Sequence, residues 1–432
     1  MTKPVISRRG VLAAGVGIPI AAGASPLVTD ATEDAFTPDR LMADVATYAA
    51  AGNKAAGGAG DTMTAKWLSD RMAALGFAVT QQSFEVPWFD THRAELKLGN
   101  LRIALLAQPL VQPTPVKGLS ARLRLADIGG NLKGAIAVIR LPFRRWSTVT
   151  DKAVQGVLSG AFERGAIGAI LVTTGPSRQA LLLNVPADKP LFRHPVALLA
   201  PADAAPVIAA AARGDDARLT IQGIGGRRPA VNLVARRVIG NRPWLVVSTP
   251  RSGWTDCVGE RGPGIAIWLA LAEWAISARP DHNLLFVCNS GHEYENLGAS
   301  HLVADVGPPP AQTAFWLHLG ANVAARDWHE LPDRLLPLPS ADPFRFLVTS
   351  PDLVPTARRI FSGQPGLEMA YPADQGTAGE LTEIVKGGYP RLAGIFGAHR
   401  LHHAAGDDLS TIAPLPLAAT AGACRDLVAA VT

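Results

Sequence analysis

The sequence predicts an α/β protein built on a mostly parallel mixed sheet sandwiched by helices, with a small β-rich segment inserted. Three observations predict it. Strand-like apolar runs alternate with helical pattern through residues 229–432, the order expected of a parallel sheet covered on both faces. The chain reads as helical before about residue 92, and from about 93 to 228 short strand-like runs replace the helices. Apolar content of 48% with 18% charged residues, over 432 positions, is enough for two domains with real cores.

Each element follows from its pattern. Leu41 to Ala51 reads as a helix, and so does Thr62 to Leu75, with Leu68, Met72 and Leu75 on one face and Gly76 as a stop. Asn131 to Ile139 reads as a strand, and Ala161 to Val172 as a helix–strand unit. Ala230–Ala235, Trp244–Ser248, Asn283–Cys288, Phe315–Leu319, Phe346–Thr349 and Leu392–Phe396 read as strands, with Gly262–Ile276 and Pro414–Val431 as helices. No internal repeat and no low-complexity tract interrupts the pattern.

The first 24 residues read as a signal peptide. Lys3, Arg8 and Arg9 form a basic region, Val11–Ala22 a short apolar one, and Ala22-Gly23-Ala24 a cleavage site. Ser7-Arg8-Arg9-Gly10-Val11-Leu12 resembles a twin-arginine export signal. The expected location is periplasmic or secreted, with no transmembrane anchor once the signal is removed. Without Lys3, Arg8 and Arg9 the chain has 38 basic and 36 acidic residues, a balance of +2 that argues against nucleic acid as a partner. Cys257, Cys288 and Cys424 are the cysteines. An oxidising compartment allows Cys257 and Cys288 to pair, but three buried free thiols is the preferred reading, and no CxxC pair suggests a zinc cluster.

The most informative stretch is Gly291–Ser300, GHEYENLGAS, directly after the apolar run Asn283–Cys288. In open α/β sheets, chemistry collects just past the carboxyl ends of such strands. The stretch resembles the "strand, then EE-x-G-x-x-G-S" signature of zinc aminopeptidases with two co-catalytic metals, a fold that glutaminyl cyclases and transferrin-receptor-type proteins share. Residues 131–139 and 161–172 resemble the strand and the helix–strand unit of a protease-associated domain, which is commonly inserted into this fold. The resemblance implies residues 25–92 and 229–432 as the peptidase-like domain and 93–228 as the insertion.

It also implies a metal site with altered positions. The family's first Glu is the general base; here His292 stands there, and only the second acid, Glu293, a zinc ligand in the family, is retained. The first His ligand would fall in Ser248–Gly253, which offers neither His nor Asp. Glu260 takes the place of the bridging Asp, and Arg261 follows it, where a cation opposes metal binding or holds an anionic substrate. His318 takes the place of the fourth ligand and His403 the fifth, with His402 as the choice if the loop is offset by one. The resemblance thus implies one zinc, or none, held by Glu260, Glu293, His318 and His403, with Arg261 toward substrate. For His292 three roles stand: a base, a ligand grouped with His318 and His403, or a polar remnant. Two functions follow, an exported metallohydrolase or acyl-transfer enzyme acting on peptide-like amides, and a non-catalytic relative that keeps the cleft for binding.

Overall fold

Leu41, Val45 and Tyr48 recur at helical spacing and are fully buried, which turns Pro38–Ala50 (α1) inward, with Pro38 in its first turn. The computed structural model describes residues 34–107, 110–127, 130–175, 177–331 and 334–432. The signal peptide expected over residues 1–24, and the residues up to 33, lie outside the described residues. α2 (Ala59–Ala74) closes at Gly76, whose φ of 84° is left-handed, as a helix stop requires.

The chain then runs through β1 (Ala78–Leu98), β2 (Leu101–Ala104), β3 (Leu106–Ala107), β4 (Leu119–Leu125) and β5 (Ile136–Arg140). α3 (Lys152–Glu163), β6 (Gly168–Val172), β7 (Val196–Leu199), α4 (Ala204–Arg213) and β8 (Asp216–Arg237) follow. Next come β9 (Trp244–Pro250), α5 (Val258–Ala278), β10 (Asn283–Asn289), α6 (Leu297–Asp305) and β11 (Thr313–Leu319). The last third holds a hairpin of β12 (Arg326–Glu330) and β13 (Leu335–Ala341), then β14 (Arg345–Thr349) and α7 (Val354–Ile360). It finishes with β15 (Tyr371–Pro372), α8 (Leu381–Lys386), β16 (Leu392–Gly397) and α9 (Pro414–Val431).

Strands β16, β11, β9 and β10 pair in parallel, and β14 and β8 flank them antiparallel. This is the mostly parallel sheet that the apolar runs predict. One face packs on α1, α5 and α9 through Val45, Trp268 and Leu417; the other packs Trp316 against Leu302 and Ile384. α5 is buried almost all round because it lies between the sheet and α1.

Beyond β8 the sheet continues through β4, β5, β6, β7 and β3. β1 and β8 form one antiparallel ribbon from Ala78↔Arg236 to Lys97↔Arg218, with a register shift between Thr91 and Arg93. A bulge bends and twists a strand, and here it falls where the ribbon passes from one half to the other. The second half has its own core, with Leu96, Val138, Val207 and Ile221 on one face of its sheet. On the opposite face, Trp146, Leu181 and Val185 pack together with Phe84, Trp254 and Tyr294 of the first half. Residues of segment 93–228 are therefore held against the loops that follow β9 and β10.

α5 begins at Val258, four residues before the Gly262 start that the sequence predicts. The first-turn N–H groups of Gly259 and Glu260 donate to the Asp407 carboxylate at 2.6 and 3.1 Å, which favours a helical turn ahead of Pro263. This places Glu260 and Arg261 on the helix's opening turn. All three cysteines are buried free thiols. Among the described residues, no helix is long and apolar enough to cross a membrane.

Candidate active site

The loops after the parallel strands converge on one buried polar centre. Past β9, the Arg251 guanidinium is fixed inside the protein. It pairs with Asp61 at 2.9 Å and donates to the carbonyls of Cys288 and Val231, both at 2.7 Å. Ser252 Oγ, next in sequence, donates to Glu293 Oε2 at 2.7 Å and accepts from Gly291 N–H at 2.7 Å. The Ala56 N–H donates to Glu293 Oε1 at 2.7 Å. Burial raises the Glu293 carboxyl pKa, and these hydrogen bonds work against that rise.

Glu260 is fully buried, and its Oε1 is the point where four side chains meet. Arg261 Nη2 lies 2.5 Å from it, His403 Nε2 3.5 Å and His402 Nδ1 3.8 Å. The His402 and His403 rings stack with centroids 3.9 Å apart. His403 adopts a left-handed φ of 61°, an uncommon conformation for a non-glycine residue. Its Nδ1 lies 2.9 Å from the Leu182 carbonyl, so Nδ1–H donates there and Nε2 faces Glu260. Leu182 belongs to segment 93–228, so that segment orients one of the imidazoles. Burial opposes ionisation of Glu260, but Arg261, then His402 and His403, hold its carboxyl well below the usual range. Burial, followed by the neighbouring His403, pushes His402 well below an ordinary imidazole.

Asp407 holds this arrangement from beneath. Besides the two α5 amides, it accepts from Thr411 Oγ1 at 3.1 Å and faces His399 Nε2 at 3.2 Å.

Beside the cluster lies a cavity of about 310 Å³, with His292, His318, Glu380 and His402 at its polar side and Phe344, Phe346 and Phe396 at its apolar side. Glu380 Oε2 accepts from Asn289 Nδ2 at 2.9 Å, and Glu380 Oε1 stands 3.7 Å from His292 Nδ1. Burial, then the Arg261 charge, lowers the His292 pKa. His318 Nδ1 is engaged by Ser248 Oγ at 2.9 Å, and burial pushes this imidazole down to about 4, so it is neutral at physiological pH.

The structure thus places Glu260, Arg261 and His403 together and adds His402. It sets His292 and His318 on one cavity wall, and it seats the Glu293 carboxylate on Ser252 and Ala56. Sequence reasoning missed Glu380, Ser252 and the Leu182 carbonyl. Glu380 sits in the segment between the two-residue strand β15 and α8, and so short a strand leaves no apolar run in the sequence to mark it. A backbone carbonyl carries no sequence signal at all.

Segment 93–228 is also pinned at the cavity rim. Arg145 Nη1 donates to Asp342 Oδ1 and Oδ2 at 2.7 and 2.9 Å and to the Ala398 carbonyl at 2.8 Å, and Asp342 is fully buried. Arg145→Ala leaves that carboxylate without its cation. Because Arg145 is slightly exposed, the expected loss is about 3 kcal/mol, near the low end for a broken buried pair. Urea denaturation measures it, and a variant within experimental error of wild type would refute this role for the pair.

The fold is that of the zinc aminopeptidases. The chain superposes on a zinc aminopeptidase from Bacillus subtilis with a TM-score of 0.70 at 18% identity, covering 92% of this chain and 94% of that one. It matches a peptidase precursor from Shewanella amazonensis with a TM-score of 0.67 at 17% identity, covering 92% of both chains. It matches an aminopeptidase from Aneurinibacillus with a TM-score of 0.63 at 15% identity, covering 93% of this chain and 95% of that one. No family model and no curated protein matches the sequence.

A zinc ion in such a fold needs nitrogen and oxygen donors facing one point. Among the described residues, Glu260, His402 and His403 form the group whose ligand atoms lie within 4.8 Å of one another. The Glu260 Oε2 and His402 Nδ1 atoms are buried without a hydrogen-bond partner. His403 has its second nitrogen on a carbonyl, as ligating imidazoles usually do. The donor set therefore fits one ion, with Arg261 against the carboxylate that would share in holding it.

Proposed function

We propose that the chain is an exported, zinc-aminopeptidase-like metallohydrolase that acts on peptide or amide substrates and works with a single metal ion. The convergence of Glu260, His402 and His403 beside a substrate-sized cavity carries this reading. Zinc at that point would supply Lewis-acid polarisation of a substrate carbonyl. The chain's own residues do the rest. Asp407 fixes the turn that presents Glu260, and the Leu182 carbonyl turns His403 Nε2 inward. His292, with Nδ1 toward Glu380, keeps Nε2 to accept a proton from the attacking nucleophile. The phenylalanine side of the cavity receives the apolar part of a substrate. The signal peptide of twin-arginine type, and segment 93–228 as an inserted protease-associated domain, belong to the same reading and rest on the sequence motifs.

Equilibrium dialysis at saturating zinc is expected to load about one ion per chain, as a three-residue donor set requires. The loaded protein is expected to hydrolyse aminoacyl amides slowly, and His292→Ala to lose about a hundredfold of that rate. A second reading, a non-catalytic binding protein, draws on Arg261, whose guanidinium already supplies a positive charge to Glu260. No bound zinc and no turnover would decide for that second reading.

A further inference from the structure

Arg261 stands where a bound metal ion would have to share its carboxylate. Its Nη2 is 2.5 Å from Glu260 Oε1, the same oxygen that His403 Nε2 and His402 Nδ1 face. Both side chains of the pair are fully buried. Arg261 Nε donates to the Ser252 carbonyl at 3.0 Å, which tethers the side chain in the interior. Its Nη1 and Nη2 have no hydrogen-bond partner of good geometry among the described residues, so the Glu260 contact is what balances its charge. A metal ion and a guanidinium on one carboxylate repel each other, and burial strengthens that repulsion. Occupancy by either cation therefore disfavours the other.

Resting on the reading that Glu260, His402 and His403 hold a divalent ion, we propose that Arg261 is a built-in competitor for that ion. It neutralises Glu260 when the site is empty, and it weakens metal uptake, without abolishing it, by occupying the shared oxygen. The empty site is thereby a stable form of the protein, and the ion enters by displacing the guanidinium.

The test is zinc affinity, read by competition with a chromophoric chelator on protein stripped of metal. Arg261→Gln is expected to bind zinc at least about tenfold more tightly than wild type, because a like charge next to the ion is gone. Arg261→Lys, which keeps a cation, is expected to stay nearer to wild type. Thermal denaturation gives a second readout: zinc should raise the midpoint of Arg261→Gln more than that of wild type, since the tighter site gains more by linkage. A folded Arg261→Gln whose zinc affinity equals or falls below wild type overturns the competition. Zinc binding by neither protein overturns the metal-cluster reading itself, a distinct result. If Arg261→Gln does not fold, a crystal structure of the wild type at saturating zinc decides. Zinc on Glu260 with the guanidinium moved away supports the proposal. Zinc with Arg261 still in contact overturns it, and a crystal without zinc overturns both readings.

Discussion

Glu260→Gln is expected to lose zinc affinity by at least about a hundredfold and to cost about 3–5 kcal/mol of stability in the metal-free protein. The affinity figure follows because loss of an outer-shell partner alone costs ~10–100-fold, and Glu260 stands in the inner set. The stability figure follows because the amide leaves the fully buried Arg261 guanidinium without a counter-charge. Its pH dependence has a definite sign. The folded-state pKa of Glu260 is depressed well below its ordinary value of 4.5: burial opposes its ionisation, but Arg261 together with His402 and His403 outweighs that cost. The stability the pair contributes is therefore fully present above about pH 4.5, the unfolded value. It is lost as pH falls through the depressed folded value. Urea denaturation of wild type and variant should show a constant gap from neutral pH down to that region, closing only in stronger acid. A gap that widens on acidification would contradict the pairing.

Asp407→Ala is expected to be as severe, about 3–5 kcal/mol, by a different route. This one carboxylate serves the amides of Gly259 and Glu260, the hydroxyl of Thr411 and the imidazole of His399, and it is fully buried. Removing it strands two helix-opening donors and an imidazole away from water, where unmet polar groups are costly. Because α5 loses its cap ahead of Pro263, Glu260 should also leave its position. Zinc affinity should then fall although no ligand has been changed. Asp407→Asn retains an acceptor and should recover part of the stability. Denaturation midpoints and zinc titrations on the two variants check this. A destabilised Asp407→Ala with unchanged zinc affinity would show that the cap holds the helix but not the ligand.

The two halves of the protein were legible to different degrees. β10 and β11 were readable because a buried parallel strand is a continuous apolar run, and Phe286 and Leu317 report burial without any partner being known. α2 and α9 carry their own stop and start in Gly76 and Pro414. The opening turn of α5 was not readable, because the acceptor that caps it, Asp407, lies 148 residues away from Gly259. The sequence also set the chemical types at the site. Glu260 and Arg261 open the helix that follows β9, His292 and His403 stand in the loops after β10 and β16, and His318 lies at the carboxyl end of β11, so strand order alone brings all five to the carboxyl edge of the sheet.

Only the tertiary structure decided which of these side chains meet. Sequence order places Glu293 one residue from His292, yet Ser252 and Ala56 hold its carboxylate, while Glu380, which no motif marks, comes to His292. His402 joins His403 because the loop takes a left-handed turn at His403, stacking the two rings. The Leu182 carbonyl fixes the second nitrogen of His403 from a distant segment. Which residue stands on which loop is a local property, carried by hydrophobic periodicity and by turn residues. Which atoms share a buried point depends on hydrogen bonds and charge pairs between segments far apart in the chain, and these exist only once the sheet has brought its loops together.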